Sequence, residues 1–165
     1  MSSLRVAVLI LAMPMLVLAQ AELKYPLAQG TYRFEGKCLE FRDSISDQLN
    51  YCDNRLGIDM SDPKRPNFLF LTKDGKAWVF WTERVRKVAD DGRHAEFRIK
   101  NFTDLGVGSS YDFAGECLLD FSELVHLECR VRMGRKVVRT AIFESHGTFL
   151  YSRDPGEVPA ASIPQ

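Results

Sequence analysis

Between residues 31 and 143 apolar and polar residues alternate with a period of two almost throughout. In 32–38, Tyr32, Phe34, Gly36 and Cys38 fall on one face, with Arg33, Glu35 and Lys37 on the other. In 111–121, Tyr111, Phe113, Gly115, Cys117, Leu119 and Phe121 share a face, and in 125–133 Val125, Leu127, Cys129, Val131 and Met133 oppose His126, Glu128, Arg130 and Arg132. Such alternation marks half-buried strands of an antiparallel sheet. Turn chemistry punctuates it: Lys73-Asp74-Gly75-Lys76 between 68–72 and 78–81, Asp90-Asp91-Gly92 before 95–102, and Met133-Gly134-Arg135 before 137–143. No stretch carries a convincing helical period, and 43–49 holds a helical turn at most. The pattern predicts an all-β fold, an antiparallel meander of eight or nine strands closing as a small barrel, with a β-sandwich as the alternative.

The chain also matches itself. Residues 31–39 (Thr-Tyr-Arg-Phe-Glu-Gly-Lys-Cys-Leu) and 110–118 (Ser-Tyr-Asp-Phe-Ala-Gly-Glu-Cys-Leu) share the pattern [ST]-Y-x-F-x-G-x-C-L. The match resumes at Cys52-x-x-Arg55-Leu56-Gly57 and Cys129-x-x-Arg132-Met133-Gly134, and more faintly at Phe68-Leu69-Phe70 and Phe149-Leu150-Tyr151. These blocks predict two related disulfide-bridged hairpin units, about 31–75 and 110–156; two hairpins with convergent edge chemistry are the alternative. Each unit carries a cysteine on its first strand and another on its second, so the expected bridges are Cys38–Cys52 and Cys117–Cys129. Each closes a loop of about a dozen residues, worth about 3 kcal/mol in the chain-entropy picture. Gly36 and Gly115, inward-facing between an aromatic residue and a cysteine, mark a bend or the close approach of another backbone.

The amino terminus changes the setting in which this domain is read. After Met1-Ser2-Ser3-Leu4-Arg5, an apolar run from 6 to 19 leads into Ala19-Gln20-Ala21 and then Glu22. A short basic start, an apolar run and small residues at the cleavage positions describe a signal peptide over 1–21. The run is about 14 residues, short of the about 20 that a membrane span requires. No second such run follows, so no membrane span is expected after cleavage. Four cysteines in an exported chain fit two disulfides in a secreted or periplasmic protein. Their separations of 14, 65 and 12 residues do not fit a zinc site. Residues 22–153 are read as one β domain. The stretch 154–165, with Pro155, Gly156, Pro159 and Pro164, is read as a disordered tail.

The full chain has 22 basic and 22 acidic residues; without Arg5 the remainder is 21 against 22. That balance gives no general field for nucleic acid, and none is expected as a partner.

Candidate chemistry is sparse. His94, His126 and His146 show no metal-ligand spacing, and there is no G-x-S-x-G elbow and no cysteine left over for a thiolate nucleophile. Asp43 with Asp47, and Asp59 with Asp62, lack EF-hand spacing, and turn chemistry accounts for them. No cofactor or metal is expected. Two features point to binding. Trp78-Val79-Phe80-Trp81 is apolar on both faces, so one face of that strand displays a large aromatic residue beyond the core. The hairpin bearing Arg130, Arg132, Arg135, Lys136 and Arg139 is the densest basic cluster, an anion-binding candidate. Trp78, Trp81, Arg130, Arg132 and Arg135 are the expected binding residues. The residues 59–67 form a proline-bounded loop, and 103–109 a connector between the halves.

The expectation is an exported non-enzymatic binding or inhibitor protein, its partner an unknown protein or small ligand. An envelope structural or assembly factor without a pocket is the alternative. An enzyme of unfamiliar type would require His126 or His146 to approach a carboxylate in a cleft.

Overall fold

The computed structural model describes residues 23–153, apart from the side chain of Thr148; the expected signal peptide and the expected tail lie outside them. Nine strands follow in order: β1 (Thr31–Asp43), β2 (Cys52–Asp59), β3 (Asn67–Thr72), β4 (Ala77–Val88), β5 (His94–Asp104), β6 (Ser109–Tyr111), β7 (Ala114–Asp120), β8 (His126–Met133) and β9 (Lys136–Ser152). A 3-10 turn at Leu49–Tyr51 is the one helical element among the described residues. None of them forms a helix long and apolar enough to cross a membrane.

All pairings are antiparallel. The ring runs β4-β3-β2-β1-β9-β8-β7-β5 and is closed by β4 pairing with β5. Eight strands therefore form an up-and-down barrel, and the barrel reading is correct. Short β6 pairs with the far half of β5 while β7 pairs with the near half, so the two behave as one strand broken at Asp112 and Phe113. The expected connector at 103–109 is in fact a hairpin: Thr103 and Asp104 belong to β5 and Ser109 to β6. Gly106 and Gly108 lie in its turn, and Thr103 and Asp104 pair with Ser110 and Ser109 across it.

The inward faces fill the barrel with aromatic rings. Phe34, Phe41, Phe68, Phe70, Phe80, Phe97, Phe102 and Phe143 are all fully buried. Many meet edge-on, as do Phe68 with Phe97 at 5.2 Å and Phe70 with Phe80 at 5.5 Å between ring centres, the arrangement aromatic quadrupoles favour. Eight strands leave an interior just wide enough for side chains, and here they occupy it.

One end is covered by residues 23–30. Tyr25 and Leu27 are buried there, the Tyr25 amide donates to the Gly92 carbonyl at 2.7 Å, and the Tyr25 ring meets Phe97 edge-on at 5.3 Å. At the other end Phe41 stacks on Trp78 at 3.9 Å, and the Arg139 guanidinium lies over the Trp78 and Phe102 rings at 5.6 and 5.8 Å. A cation over an aromatic face is attracted by the ring quadrupole, so this end closes without an exposed apolar floor.

Both disulfides pair as expected. Cys38–Cys52 joins β1 to β2, and Cys117–Cys129 joins residues directly opposite one another on β7 and β8, with Cα atoms 4.1 Å apart. The two glycines are also locally equivalent: a Cβ on Gly36 would collide with the Glu144 carbonyl oxygen, and one on Gly115 with that of Arg130. The barrel does not, however, display two related units. Strand direction alternates around the ring and β7 stands three places from β1, so the two run oppositely. The β1–β2 hairpin turns at one end and the β7–β8 hairpin at the other, and no rotation superposes them.

Candidate functional site

Inward positions on β4 are Trp78, Phe80 and Thr82, and outward positions are Val79 and Trp81. Trp81 pairs with Asn101 on β5, but the next residue, Thr82, pairs with Ile99, leaving Lys100 as an extra residue. A bulge of this kind bends a strand and re-aims its side chains. The bulged strand is β5; along β4 plain alternation sets Trp81 on the outer wall, 42 % exposed, with its indole N–H donating to Thr103 Oγ1 at 2.9 Å.

Around the indole lies a polar network drawn from β5, β6 and the break after β6. Ser110 Oγ donates to Asn101 Oδ1 at 2.8 Å, and the Thr103 and Ser110 hydroxyls are 3.1 Å apart. Asn101 Nδ2 donates to Asp112 Oδ1 at 3.0 Å. Each member fixes its neighbour's rotamer, so the surface is formed before anything binds.

The opposite wall is the loop 60–66, which corresponds to the expected proline-bounded loop. Its shape is held by many bonds. Asp59 and Asp62 carboxylates accept from the amides of Ser61 and Lys64, each at 2.9 Å. Thr82 Oγ1 donates to the Pro66 carbonyl at 2.6 Å. From the amino-terminal segment, the Tyr25 hydroxyl donates to the Pro63 carbonyl at 2.5 Å, Gln29 Nε2 donates to the Ser61 carbonyl at 2.9 Å, and the Met60 amide donates to the Gly30 carbonyl at 2.8 Å. Burial, with Asp62 nearby, raises the Tyr25 pKa, so its hydroxyl stays a donor well into alkaline conditions. The open groove between the loop and Trp81 has a volume of about 780 Å³. Its charges are mixed: Asp62 faces Arg65 at 3.9 Å, and Glu83 faces Arg98 at 3.8 Å.

Of the expected binding residues, only Trp81 belongs here. Trp78 is core: it is 2 % exposed, its ring stacks on Phe41, and its N–H donates to Asp104 Oδ2 at 3.0 Å. The basic hairpin is not beside Trp81, because β5 and β7 separate β4 from β8. Arg130 and Arg132 lie on the outer wall paired with Glu128 at 2.7 Å and Glu116 at 3.4 Å, and Arg135 is exposed at the β8–β9 turn. Arg139 points inward, onto the rings that close the barrel end. Asn101, Thr103, Ser110 and Asp112 were not singled out from the sequence. Their one signal is polarity at outward positions of β5 and β6, which every solvated strand shares.

The loop carboxylates Asp43, Asp47, Asp59 and Asp62 serve turns. Asp43 accepts from the Ile45 and Ser46 amides at 2.8 Å each and from Gln48 Nε2 at 2.7 Å. Among the described residues no group of three or more His, Cys, Asp or Glu side chains is arranged to hold a metal. His126 Nδ1 lies 4.0 Å from Glu144. His94 Nε2 lies 3.2 Å from Ser122 Oγ and 3.3 Å from Asp120 Oδ2, while Asp91 is 4.0 Å from the other ring nitrogen. Asp120 and the hydroxyl thus compete for one nitrogen and Asp91 stands beyond hydrogen-bond reach of the other, whereas a nucleophile triad has a hydrogen-bonded carboxylate opposite the hydroxyl. The groups are about half exposed, as solvated ion pairs are. Burial would raise the Asp120 pKa, but the Ser122 bonds and the charges of His94 and His126 outweigh it and hold the carboxyl below its ordinary range.

No family model matches this chain, and no curated protein or solved structure is significantly similar to it.

Proposed function

We propose that the chain is an exported, non-enzymatic binding or inhibitor protein of the cell envelope or extracellular space, and that its ligand sits on the outer barrel wall at Trp81. Export rests on the signal-like residues 1–21 and on the two disulfides, which persist where the surroundings are oxidising. The observation that carries the binding reading is the Trp81 indole, half exposed yet fixed by Thr103 within a built groove. A tryptophan left outside a core that already holds nine buried phenylalanines is not needed for packing, and tryptophan is a favoured anchor of binding surfaces.

An envelope structural or assembly factor is the second reading, favoured by an interior filled with rings. The two are separated by immobilising the signal-cleaved protein and its Trp81→Ala variant and passing envelope and culture-medium fractions over each. Binding at the groove predicts a component retained by the wild type and lost with the variant, at an unchanged thermal midpoint. Identical retention by both proteins removes Trp81 from any interface and leaves the structural reading. Fusing residues 1–30 to a phosphatase that folds only outside the cytoplasm checks the export half, and an inactive fusion would refute it.

A further inference from the structure

We propose that the groove at Trp81 binds a neutral saccharide, an inference that rests on the binding reading above. Three properties of the groove select this chemistry. The first is its ratio of apolar to polar groups. Of the twelve residues that line it, Trp81 is the only aromatic or aliphatic one. A pocket for an apolar small molecule is lined mostly by hydrophobic side chains, and the centre of a protein interface is depleted in charge and enriched in large apolar groups. One flat ring amid hydroxyls, amides and charges fits neither. It fits a pyranose, which has an apolar C–H face and a rim of hydroxyls.

The second property is what each group still has to offer. The indole N–H is consumed by Thr103, so Trp81 presents its ring and not a donor. Asn101 Nδ2 has two hydrogens and gives one to Asp112 Oδ1. The second hydrogen of Asn101 Nδ2 and the other oxygen of Asp112 make no further bond among the described residues, which leaves a donor and an acceptor on two side chains that already touch. Two vicinal hydroxyls of a sugar satisfy that pair at once, one accepting and the other donating. Lys100 adds a further donor on the same wall.

The third is charge. The lining carries three carboxylates, Asp62, Glu83 and Asp112, against two cations, Arg65 and Lys100, while Arg98, which faces Glu83, stands outside it. A groove for phosphate or a sulfated glycan would carry an excess of cations. This one carries none, which argues against an anionic ligand; with Asp62 and Glu83 each already facing an arginine, the proposed ligand is a neutral one whose binding does not depend on ion pairing.

The experiment uses the signal-cleaved protein and four neutral hexasaccharides: β-1,4-linked glucose, β-1,4-linked N-acetylglucosamine, β-1,4-linked mannose and α-1,4-linked glucose. Binding is followed by calorimetry and by protection of tryptophan fluorescence from acrylamide, since Trp81 is the tryptophan the quencher reaches. At least one sugar should bind saturably below about 10 mM and protect the fluorescence. Trp81→Ala should weaken that binding by at least about 10-fold, and Asp112→Asn, which keeps the fold but exchanges an acceptor for a donor, should weaken it too. Raising salt should leave the affinity unchanged, because no ion pair forms. The inference is overturned if none of the four binds, if binding survives in Trp81→Ala, or if affinity falls steeply with salt. Should all sugars fail while an envelope component is still retained through Trp81, the saccharide assignment falls and the binding site stands. Should neither depend on Trp81, both fall.

Discussion

Trp78 and Trp81 stand three residues apart on β4 and face opposite sides of the barrel wall, the first 2 % exposed and the second 42 %. The same side chain therefore has two different energetic roles within one strand. Trp78→Ala removes a ring packed between Phe41, Phe102 and Arg139, and the closed barrel has little freedom to collapse around the space. The expected loss is about 3–5 kcal/mol in urea unfolding. Trp81→Ala should cost less than about 1 kcal/mol, as surface substitutions do. Similar losses from the two would place Trp81 in the core and remove the groove as a binding site.

Tyr25 touches no residue of the polar network, yet it holds the wall facing Trp81 through its bond to the Pro63 carbonyl. Tyr25→Phe keeps the ring on Phe97 and deletes only the hydroxyl. Stability should fall by about 1 kcal/mol, and amide exchange should quicken within 60–66 but not at the barrel strands. The pH dependence has a definite sign. The Tyr25 pKa is raised in the folded state by burial and by Asp62, so its contribution is complete below the unfolded value near 10 and is lost as pH rises through the folded value. The wild type should lose part of its advantage over Tyr25→Phe in strongly alkaline buffer. A gap constant with pH would mean that the hydroxyl does not hold the loop.

The strands and their facing were legible because both are short-range properties. Alternation in 32–38 and 125–133 fixes which side chains point inward whatever lies across the sheet, and the cysteine positions then leave one sensible pairing. The groove was not legible. Asn101 and Asp112 lie eleven residues apart and meet only because β6 folds back on β5. The extra residue Lys100 decides which β5 side chains stand opposite Trp81 and Thr82, and no turn chemistry announces it. The pairing of the basic hairpin was not legible either. Glu116, on the neighbouring strand, pairs with Arg132 through the β7–β8 register, which the charges along one strand do not reveal. The repeated motif was real as local chemistry, two glycines that admit a neighbouring carbonyl, but strand direction in the closed ring gives it no symmetry.

Asp43 ends β1 and gathers the following turn, accepting from the Ile45 and Ser46 amides. Burial works to raise its pKa, but those amides, the charge of Arg139 and the Ser46 hydroxyl together hold it below the ordinary value. A depressed folded pKa supplies stability that is present above the unfolded value, near 4, and disappears as pH falls through the folded one. Asp43→Asn should therefore be less stable than wild type at pH 7 and converge with it in strong acid, seen as thermal midpoints that meet on the acid side. Asp120, lowered in the same direction, keeps an acid transition in the variant. A gap that stays unchanged into strong acid would show that the charge on Asp43 is not what stabilises the turn.

Gly36 and Gly115 give the sharpest test of how the strands approach one another. In each case the atom in the way of an added Cβ is a backbone carbonyl on the paired strand, Glu144 for Gly36 and Arg130 for Gly115, with Ser145 Cα and Val131 Cα close behind. A backbone held in a closed ring cannot move aside as the end of a flexible side chain can. Neither glycine has a positive φ, so the cost of substitution is steric and not conformational. Each alanine substitution should lower stability by about 1–3 kcal/mol, the range found when a packed region is overfilled. Gly75, at a hairpin tip with nothing near its absent Cβ, is the contrasting site: its φ of +78° makes alanine costly by backbone strain alone. The two causes are separable with serine and asparagine. Asparagine tolerates the left-handed region and should recover part of the loss at position 75, whereas at 36 and 115 it should be worse than alanine, because any larger side chain meets the same carbonyl. Equal rescue by asparagine at all three positions would mean that the strands at 36 and 115 do not approach as closely as the register requires.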